Sequence, residues 1–505
     1  MEAYPGMSIR PSSVDPASPH VDSPGARARR RRWLWFLTAI PVAAALMAAG
    51  SWWHARAASA RIRSIAVLPF LDLSQGSGQD WFGDGITDEI IDGLARIPGL
   101  RVTAHASAFE FMNQAHDLHR IGEQLGVAAV LEGSIQNGGG RLRVTAQLHR
   151  TADGYQLWSV TFDRPANDAF RLQREMARAL AGRIRAALKP GSAPRQPSPQ
   201  AYDAYLEGRA WFGRAGAASV TKAAERFAEA TRLDSDFALA WAWQSIADEY
   251  RVDDGLVRSN EAMPAARDAA ERAVALDADS GEAHLALGIV KLQYDWDWNT
   301  ARQEFDRALQ LSPGSAFALH WLAHWYETQG RLGEALTGMQ AALTLDPLSP
   351  EMLRDVANEY LASANPAGAL PFAQKAADLF PHDPQVESSL IGALFYAGQK
   401  EKARQLTREL APPVEAALWS AIEGEPGDAR SLLHRADDLH QEQEAPATAL
   451  AGLAAAVKDW DRLFYWLNVA YDERSVHLPY ARLDPRIPAA DPRFVELLSR
   501  MNLPH

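Results

Sequence analysis

The fold of most of this chain is decided by residues 301–347, which read ARQEFDRALQLSPGSAFALHWLAHWYETQGRLGEALTGMQAALTLDP. Within this stretch, Ala301 and Ala308 recur 34 residues later as Ala335 and Ala342. Small residues at this spacing let two helices pack closely, and a proline follows each second helix, where it prevents the helix from continuing. The stretch therefore predicts stacked helical hairpins.

Neighbouring parts of the chain repeat this pattern. Matching alanine and leucine columns occur at residues 223–233, 266–276 and 369–379, and Gly330 ends the first helix of the best-formed unit. These units resemble tetratricopeptide repeats. The resemblance implies an all-α superhelical solenoid over residues 201–440, which binds proteins or peptides in its groove, and a helical capping region at residues 441–505 that covers the last hairpin.

Residues 33–53 form an uncharged segment long enough to cross a membrane, with tryptophans at both ends, where membrane interfaces favour them. Five arginines in residues 27–32 predict that a disordered tail, residues 1–32, lies in the cytoplasm. The bulk of the chain is then expected in the periplasm, anchored to the bacterial inner membrane by one transmembrane helix. The alternative is a secretory signal cleaved near Ala60.

Residues 64–188 alternate short apolar runs with amphipathic stretches and predict an α/β domain. The expected strands are residues 65–70, 101–104, 127–136, 141–149 and 155–162, and the expected helices are residues 84–96, 118–125 and 170–188. Asp84 or Thr87 is placed to cap the first helix. The glycines at 138–140 join two alternating strands and predict a hairpin turn rather than a phosphate-binding loop. The Gly83-Asp84-Gly85 sequence is interpreted as a turn that lets the following helix pack.

Several short sequences in this domain resemble the TolB-like module of bacterial proteins, including SIAVLPF from Ser64, FGDGITDE from Phe82 and LEGS from Leu131. In that family the module follows a single membrane span and precedes tetratricopeptide repeats. The resemblance implies similarity to the exported half of membrane-bound transcription regulators and class III adenylate cyclases. Those relatives carry a cytoplasmic effector domain, which 32 residues are too few to form, so we expect only the receptor-like half here.

Composition limits the function further. The 505 residues carry 51 Lys and Arg against 63 Asp and Glu, and this net charge of −12 disfavours nucleic acid as a partner. The chain has no cysteine, which excludes disulfides, thiolate metal sites and a cysteine nucleophile. No catalytic or nucleotide-binding motif was recognised, so we expect neither an enzyme nor a cofactor.

The candidate partner-binding residues lie on the first helices of two consecutive repeat units. They are Phe317, His320, His324, Glu351, Arg354 and Asn358. Arg354 and Asn358 are one helical turn apart and resemble half of a clamp for a peptide carboxylate, although ordinary solvated groove residues are the alternative.

Two histidine pairs were considered as metal ligands. His320 and His324 lie on one helical face, as zinc ligands do, and His116 and His119 are three residues apart. The sequence indicates no third ligand for either pair, so it favours surface histidines and no metal site. Trp296 and Trp298 are interpreted as covering the end of a hairpin.

The sequence therefore predicts a non-enzymatic, membrane-anchored scaffold or sensor of the cell envelope that binds protein partners. The alternative is a signalling subunit, which relays a periplasmic binding event to a separate transcription regulator or adenylate cyclase and self-associates. A cryptic enzyme in the α/β domain is the third hypothesis.

Overall fold

The computed structural model describes residues 62–74, 80–111, 117–138, 140–165, 171–172, 175–176, 179, 195–214 and 216–504, which all belong to the unit Ile62–His505. The predicted tail at residues 1–32, the predicted span at residues 33–53 and the cleavage site near Ala60 lie outside the described residues. None of the helices in the described ranges combines the length and apolar character that a bilayer crossing requires.

The first described domain is built on a mixed sheet of six strands. The strands are β1 Ser64–Val67, β2 Leu71–Asp72, β3 Arg101–Val102, β4 Ala129–Gly138, β5 Arg141–Arg150 and β6 Gln156–Pro165. Their order in the sheet is β3-β1-β4-β5-β6, and β2 pairs with β4 outside this path. Strand β1 pairs in parallel with β3 and β4, β2 pairs with β4 beyond the end of β1, and β4, β5 and β6 are antiparallel. The predicted hairpin is confirmed, since Gly138 pairs with Arg141 across its turn.

The first helix of this domain begins four residues earlier than predicted. The helices are α1 Asp80–Ala95, α2 His105–Phe109 and α3 Leu118–Leu125. The prediction that Asp84 or Thr87 caps α1 is wrong, because α1 begins at Asp80 and both residues lie inside it. Thr87 instead links helix to sheet: its Oγ1 donates to Gly83 O at 2.8 Å and accepts from Phe70 N at 3.0 Å. Helix α2 was not predicted, and most of the helix predicted at residues 170–188 lies outside the described residues.

Gly83 and Gly85 also lie within α1 rather than in a turn before it. A Cβ atom on Gly83 would lie 2.7 Å from Phe70 O, and one on Gly85 would lie 2.7 Å from Leu206 O. These glycines therefore serve close packing of backbones, which a sequence cannot distinguish from a turn.

The chain then forms six helical hairpins in the described residues 199–410, which confirms the predicted solenoid. The helices are α4 Pro199–Phe212, α5 Ala217–Leu233, α6 Ala238–Asp253, α7 Ser259–Leu276, α8 Gly281–Val290, α9 Trp298–Leu311, α10 Ala316–Thr328, α11 Leu332–Leu345, α12 Pro350–Ala362, α13 Pro366–Leu379, α14 Pro384–Tyr396 and α15 Lys400–Leu410. The alanine columns are buried where helices meet, for example at Ala301, Ala335 and Ala369. Gly330 follows the end of α10 with φ 71°.

A π-helical turn, Lys291–Asp295, extends α8 before the tryptophan pair. Asp297 caps α9, since its Oδ1 accepts from Thr300 N at 3.1 Å. Both tryptophans are buried, as predicted, but Trp298 reaches further than the hairpin end: its Nε1 donates to Met501 O at 2.8 Å.

That contact belongs to a C-terminal region that folds back onto the solenoid. It contains α16 Pro413–Ile422, α17 Gly427–Leu433, α18 Ala436–Gln441, α19 Ala447–Ala456, α20 Trp460–Asp472, the 3₁₀ segment Leu478–Leu483 and α21 Pro492–Arg500. Arg482 Nη1 in the 3₁₀ segment donates to Thr328 O at the end of α10, at 2.9 Å. The region therefore also packs against α9 and α10, and the capping role of residues 441–505 stays a prediction.

The α/β domain docks on the solenoid through backbone and side-chain contacts. Gly314 N donates to Ala95 O at 2.9 Å, and Ser107 N donates to Asp346 Oδ1 at 2.8 Å. Buried residues of α1 and α4 belong to one hydrophobic cluster. The orientation of the sheet domain on the repeats is therefore fixed by a shared core.

Candidate functional site

The first helices of successive hairpins face a concave cavity of about 680 Å³, which we call the groove. Its walls come from α6, α10, α12 and α14, and from α16 in the C-terminal region. The 3₁₀ segment closes one side, where Tyr480 Oη contacts Gln293 Oε1 at 3.4 Å and its ring lies 5.9 Å from that of His324. The groove thus depends on both the repeats and the chain's return at its C-terminal end.

The structure brings four of the six predicted partner-binding residues to the groove wall. These four are His324, Glu351, Arg354 and Asn358. The other two do not line the groove: His320 is fully buried, and half-buried Phe317 packs against Trp243 with nearly parallel rings 6.3 Å apart. The role of these residues in partner binding stays a prediction.

The interpretation of His320 and His324 as surface histidines is wrong for His320, which is fully buried, whereas the His324 side chain stays 17% exposed on the groove wall. His320 Nε2 lies 2.8 Å from Asp355 Oδ2, and His324 Nε2 lies 3.6 Å from the same oxygen. The two Nε2 atoms are 3.2 Å apart. Asp355 is therefore the third group that the sequence analysis missed. The 34-residue register could have indicated it, since Asp355 follows Arg354, which is the equivalent of His320 in the next unit.

A second layer of charged groups holds this cluster. Glu327 contacts Nδ1 of His324, and Arg354 Nε donates to Asp355 Oδ1 at 2.7 Å. Burial alone would lower the pKa of His324, but the carboxylates of Glu327 and Asp355 outweigh it and hold that pKa well above its ordinary value. Burial would raise the pKa of Asp355, yet Arg354 and the two histidines hold it well below its usual range. Asp355 is therefore ionised and His324 carries positive charge when no other cation is present.

Two further carboxyl groups near the cluster have raised pKa values. Burial, together with the neighbouring Glu327, raises the pKa of Glu359 to about 10. Burial raises the pKa of Glu249 well above its ordinary value, and the charges of Asp253 and Glu351 add to this effect. The region therefore concentrates more acidic groups than its cations neutralise.

The lining of the groove as a whole is acidic and aromatic. Six carboxyl side chains line it against two cationic side chains: Glu249, Asp253, Glu327, Glu351, Asp355 and Glu415 against Arg354 and His324. Apolar surface is supplied by Trp321, Leu361, Tyr396, Trp419 and Leu483. Such a surface favours a ligand that combines positive charge with apolar groups.

The two residues of the predicted carboxylate clamp already have partners within the protein. Arg354 contacts Gln385 on α14 as well as Asp355, and Asn358 Oδ1 accepts from Ser389 Oγ at 2.9 Å. These contacts join α12 to α14. They also occupy groups that a peptide carboxylate would use.

Comparison with known proteins gives partial similarity. No family model matches the chain. It is 32% identical over 235 residues to the Rhizobium meliloti (strain 1021) protein named "Putative adenylate cyclase 3", a match covering 45% of this chain and 40% of that protein. It is 34% identical over 123 residues to the Pseudomonas putida protein named "Probable biofilm formation methyltransferase WspC", covering 24% of this chain and 28% of the relative. The chain thus matches less than half the length of either relative.

Solved structures with similar folds include the human IFIT1 dimer with m7Gppp-AAAA and PilF of Pseudomonas aeruginosa. The first has a TM-score of 0.43 and 15% identity, covering 66% of this chain and 79% of that chain. The second has a TM-score of 0.30 and 20% identity, covering 52% of this chain and 98% of that chain. At these scores the likeness adds nothing to the assignment of the repeats, which rests on the helical hairpins themselves. The chain is a mostly helical solenoid of the tetratricopeptide type that carries a small mixed sheet at residues 64–165.

Proposed function

We propose that this chain is a non-enzymatic scaffold that binds a positively charged segment of a partner protein in the groove. The observation that carries the proposal is the lining of the groove, in which six carboxyl groups lie against two cationic side chains, Arg354 and His324, beside aromatic side chains. Lysine and arginine side chains suit this surface, because their stems cover apolar groups while their charged ends reach carboxylates.

A cationic segment is favoured over the carboxylate ligand that Arg354 and Asn358 first suggested. A peptide carboxylate would have to displace Asp355 or Gln385 from Arg354, and Ser389 from Asn358. It would also enter a region of net negative charge, where Coulomb repulsion opposes it. We therefore assign Arg354 and Asn358 to holding α12 against α14, and we assign recognition of the partner to Glu351, which lines the groove and whose hydrogen-bond partner, Tyr250 Oη at 2.8 Å, is uncharged.

The proposal includes the membrane anchor and the TolB-like character of the sheet domain. An uncharged segment at residues 33–53, preceded by arginines, supports an anchor that leaves the groove in the periplasm of a bacterial cell envelope. Protease added to spheroplasts is expected to degrade the repeats. Protection of the repeats until the membrane is permeabilised would overturn this topology.

A signalling subunit is the second candidate, and the similarity to a protein named "Putative adenylate cyclase 3" favours it. In this version, a segment bound in the groove changes the association of the chain with a separate cyclase or regulator. Co-purification of such a protein with the membrane-embedded chain would support this candidate. Unchanged recovery of that protein after deletion of residues 1–32 would count against contact through the tail.

The binding proposal is tested by fluorescence anisotropy with two labelled peptides of equal length, one with lysine, arginine and leucine and one with glutamate in place of the basic residues. The full-length chain in mild detergent is expected to bind the basic peptide more tightly, and the binding should weaken as salt increases. Glu351→Gln combined with Asp253→Asn should weaken binding about 10-fold, since two charge contacts are lost.

The matched control is Glu123→Gln on α3, because this carboxylate is 70% exposed and lies outside the groove. It should leave the affinity unchanged. Equal affinity for both peptides, or an equal loss in the control variant, would contradict recognition by the acidic groove.

A further inference from the structure

The cluster of His320, His324 and Asp355 has a geometry that hydrogen bonds alone do not satisfy. Nε2 of each histidine and Oδ2 of Asp355 form a triangle with sides of 2.8, 3.2 and 3.6 Å. If both Nε2 atoms carry protons toward Asp355, the contact between the two nitrogens joins two donors. If one Nε2 lacks its proton, it gives up its hydrogen bond to the carboxylate.

A single metal ion removes this conflict, because all three atoms then point lone pairs at one cation. Zinc binds histidine nitrogens and carboxylate oxygens at about 2.0–2.2 Å, so two ligands of a tetrahedral zinc ion lie about 3.3 Å apart. The three sides of the triangle bracket that separation. Among the described residues, these three side chains form a group that could hold a metal ion. Their ligand atoms all lie within 4.8 Å of one another.

The surroundings of the three residues are those of a built site. Glu327 contacts Nδ1 of His324, so the ring is oriented with Nε2 toward the centre of the triangle. Arg354 Nε binds Asp355 Oδ1 at 2.7 Å and leaves Oδ2 facing the histidines. His320 is fully buried, and its ring packs beside those of Phe317 and Trp321. Polar contacts therefore orient His324 and Asp355, whereas packing holds His320, whose buried Nδ1 has no hydrogen-bond partner among the described residues.

The repeat architecture explains how the three side chains meet. His320 and His324 are four residues apart on α10 and share one helical face. Asp355 lies on α12, the first helix of the next hairpin, which packs against the same face. Because His324 and Asp355 also line the groove, an ion bound to them has a side that faces the cavity.

We propose that His320, His324 and Asp355 bind a divalent transition-metal ion of the zinc class at the floor of the groove. Two nitrogen ligands and one carboxylate favour zinc over calcium or magnesium, which prefer oxygen ligands alone. The ion joins two neighbouring repeats and neutralises part of the acidic surroundings. The proposal does not rest on the binding of a cationic segment, since the triangle exists in the chain without a partner.

The test uses the full-length chain, freed of metal with a chelator and then titrated with Zn²⁺ by calorimetry and with Co²⁺ by visible absorption. We expect one equivalent of Zn²⁺ to bind and the melting temperature to rise. Co²⁺ should give the strong visible bands of a low-symmetry site with nitrogen and oxygen ligands. His324→Ala and Asp355→Asn should each weaken Zn²⁺ binding at least 100-fold and abolish the rise in melting temperature.

Two matched controls separate this site from other histidines. His284→Asn removes a buried histidine that also contacts a carboxylate, Glu304, and His382→Ala removes a histidine whose side chain is 85% exposed. Both variants should bind Zn²⁺ as the parent does. Circular dichroism of the metal-free protein shows whether a ligand variant folds. If it does not, the Zn²⁺ stoichiometry and the Co²⁺ spectrum of the parent still show whether the chain binds one metal ion.

Absence of a Zn²⁺ equivalent in the parent, or equal loss in the His284→Asn variant, would overturn the site and leave a hydrogen-bonded cluster. Failure of the peptide experiment would not affect this outcome, because the metal titration contains no peptide.

Discussion

Two clusters of buried charge in this molecule have similar ingredients and different surroundings. At the interface between the sheet domain and the repeats, Arg209 of α4 lies 2.8 Å from Asp92, 3.5 Å from Glu89 and 3.6 Å from Asp88, all on α1. In the groove, Arg354 contacts Asp355, its neighbour on α12. The side chain of Arg209 is 6% exposed and that of Arg354 is 17% exposed.

The difference between the interface cluster and the groove cluster shows that buried ion pairs can stabilise a domain interface or line a binding cavity. The interface cluster lies between two domains, where Asp88, Glu89 and Arg209 are at most 6% exposed and Asp92 is 29% exposed, so the protein itself must match most of its charge. The groove cluster opens onto a cavity of about 680 Å³, where an ion, water or a partner side chain can complete the charge balance. We therefore expect structural damage from changes in the first and changed binding from changes in the second.

The largest expected effect comes from Arg209→Met, which breaks the enclosed cluster. The substitution removes the cation that Asp88, Glu89 and Asp92 share, although Asp88 keeps His105 as a partner. Loss of one partner of a buried ion pair typically costs about 3–5 kcal/mol. Urea denaturation of the parent and variant measures the change in the free energy of unfolding. Arg232→Met is the control, because its side chain is 67% exposed and the substitution should leave the free energy of unfolding nearly unchanged. Equal effects of the two substitutions would contradict the account.

The pH dependence of the free energy of unfolding tests the burial of Glu89 in the interface cluster. Burial raises the pKa of Glu89 to about 7, and the charges of Asp92 and Glu282 add to this rise. The positive charge of Arg209 and the hydrogen bond from the Tyr205 hydroxyl oppose it. A raised pKa in the folded state means that the protonated form is favoured by folding, so this contribution is complete below pH 4.5 and is lost as the pH rises through about 7.

The corresponding measurement is the free energy of unfolding at several pH values for the parent and for Glu89→Gln. From pH 5 to pH 8 the parent should lose on the order of 1–3 kcal/mol relative to the variant, which carries no titratable group at this position. A parent that instead gains stability over this range would show that the ion pair with Arg209 outweighs burial.

The packing between α1 and α4 is tested by Gly85→Ala. The added Cβ atom would lie 2.7 Å from Leu206 O and 2.8 Å from Leu206 Cβ, so the helices must separate. Overpacking of this kind costs about 1–3 kcal/mol, and we expect about 2. Gly333→Ala in α11 is the control, because no atom lies within 4 Å of its added Cβ. The thermal midpoint should fall only in the first variant, and an equal change in both would contradict the close approach of the helices.

The smallest effect is expected for Arg354→Met in the open cluster. Asp355 keeps its contact with His320 at 2.8 Å, and the groove gives water access to the freed groups. We expect a loss of about 1 kcal/mol, smaller than that of Arg209→Met. A loss as large as that of Arg209→Met would show that the groove cluster is as enclosed as the interface.

The sequence predicted the elements that depend on local pattern. The columns of Ala301, Ala335 and Ala369 predicted the hairpins, and all three are buried at helix contacts. The glycines at 138–140 predicted the β4–β5 turn, and Gly330 predicted the end of α10. In each case the signal lies within one repeat or one turn.

The contacts between distant parts of the chain could not be predicted in this way. Asp355 reaches His320 only because the superhelix places consecutive first helices side by side, and Trp298 reaches Met501 because the C-terminal region folds back. Asp84 was misplaced as a cap because glycines that serve close packing resemble glycines of a turn. Burial of His320 likewise follows from its neighbour in the next repeat and not from its own helix.

Hydrogen exchange measured by mass spectrometry, with and without the basic peptide, tests the central claim that the groove is the binding surface. The account predicts added protection in α10, α12 and the 3₁₀ segment Leu478–Leu483, which line the groove. Protection confined to the second helices of the hairpins, such as α11 and α13, would place the peptide on the outer face and contradict the account.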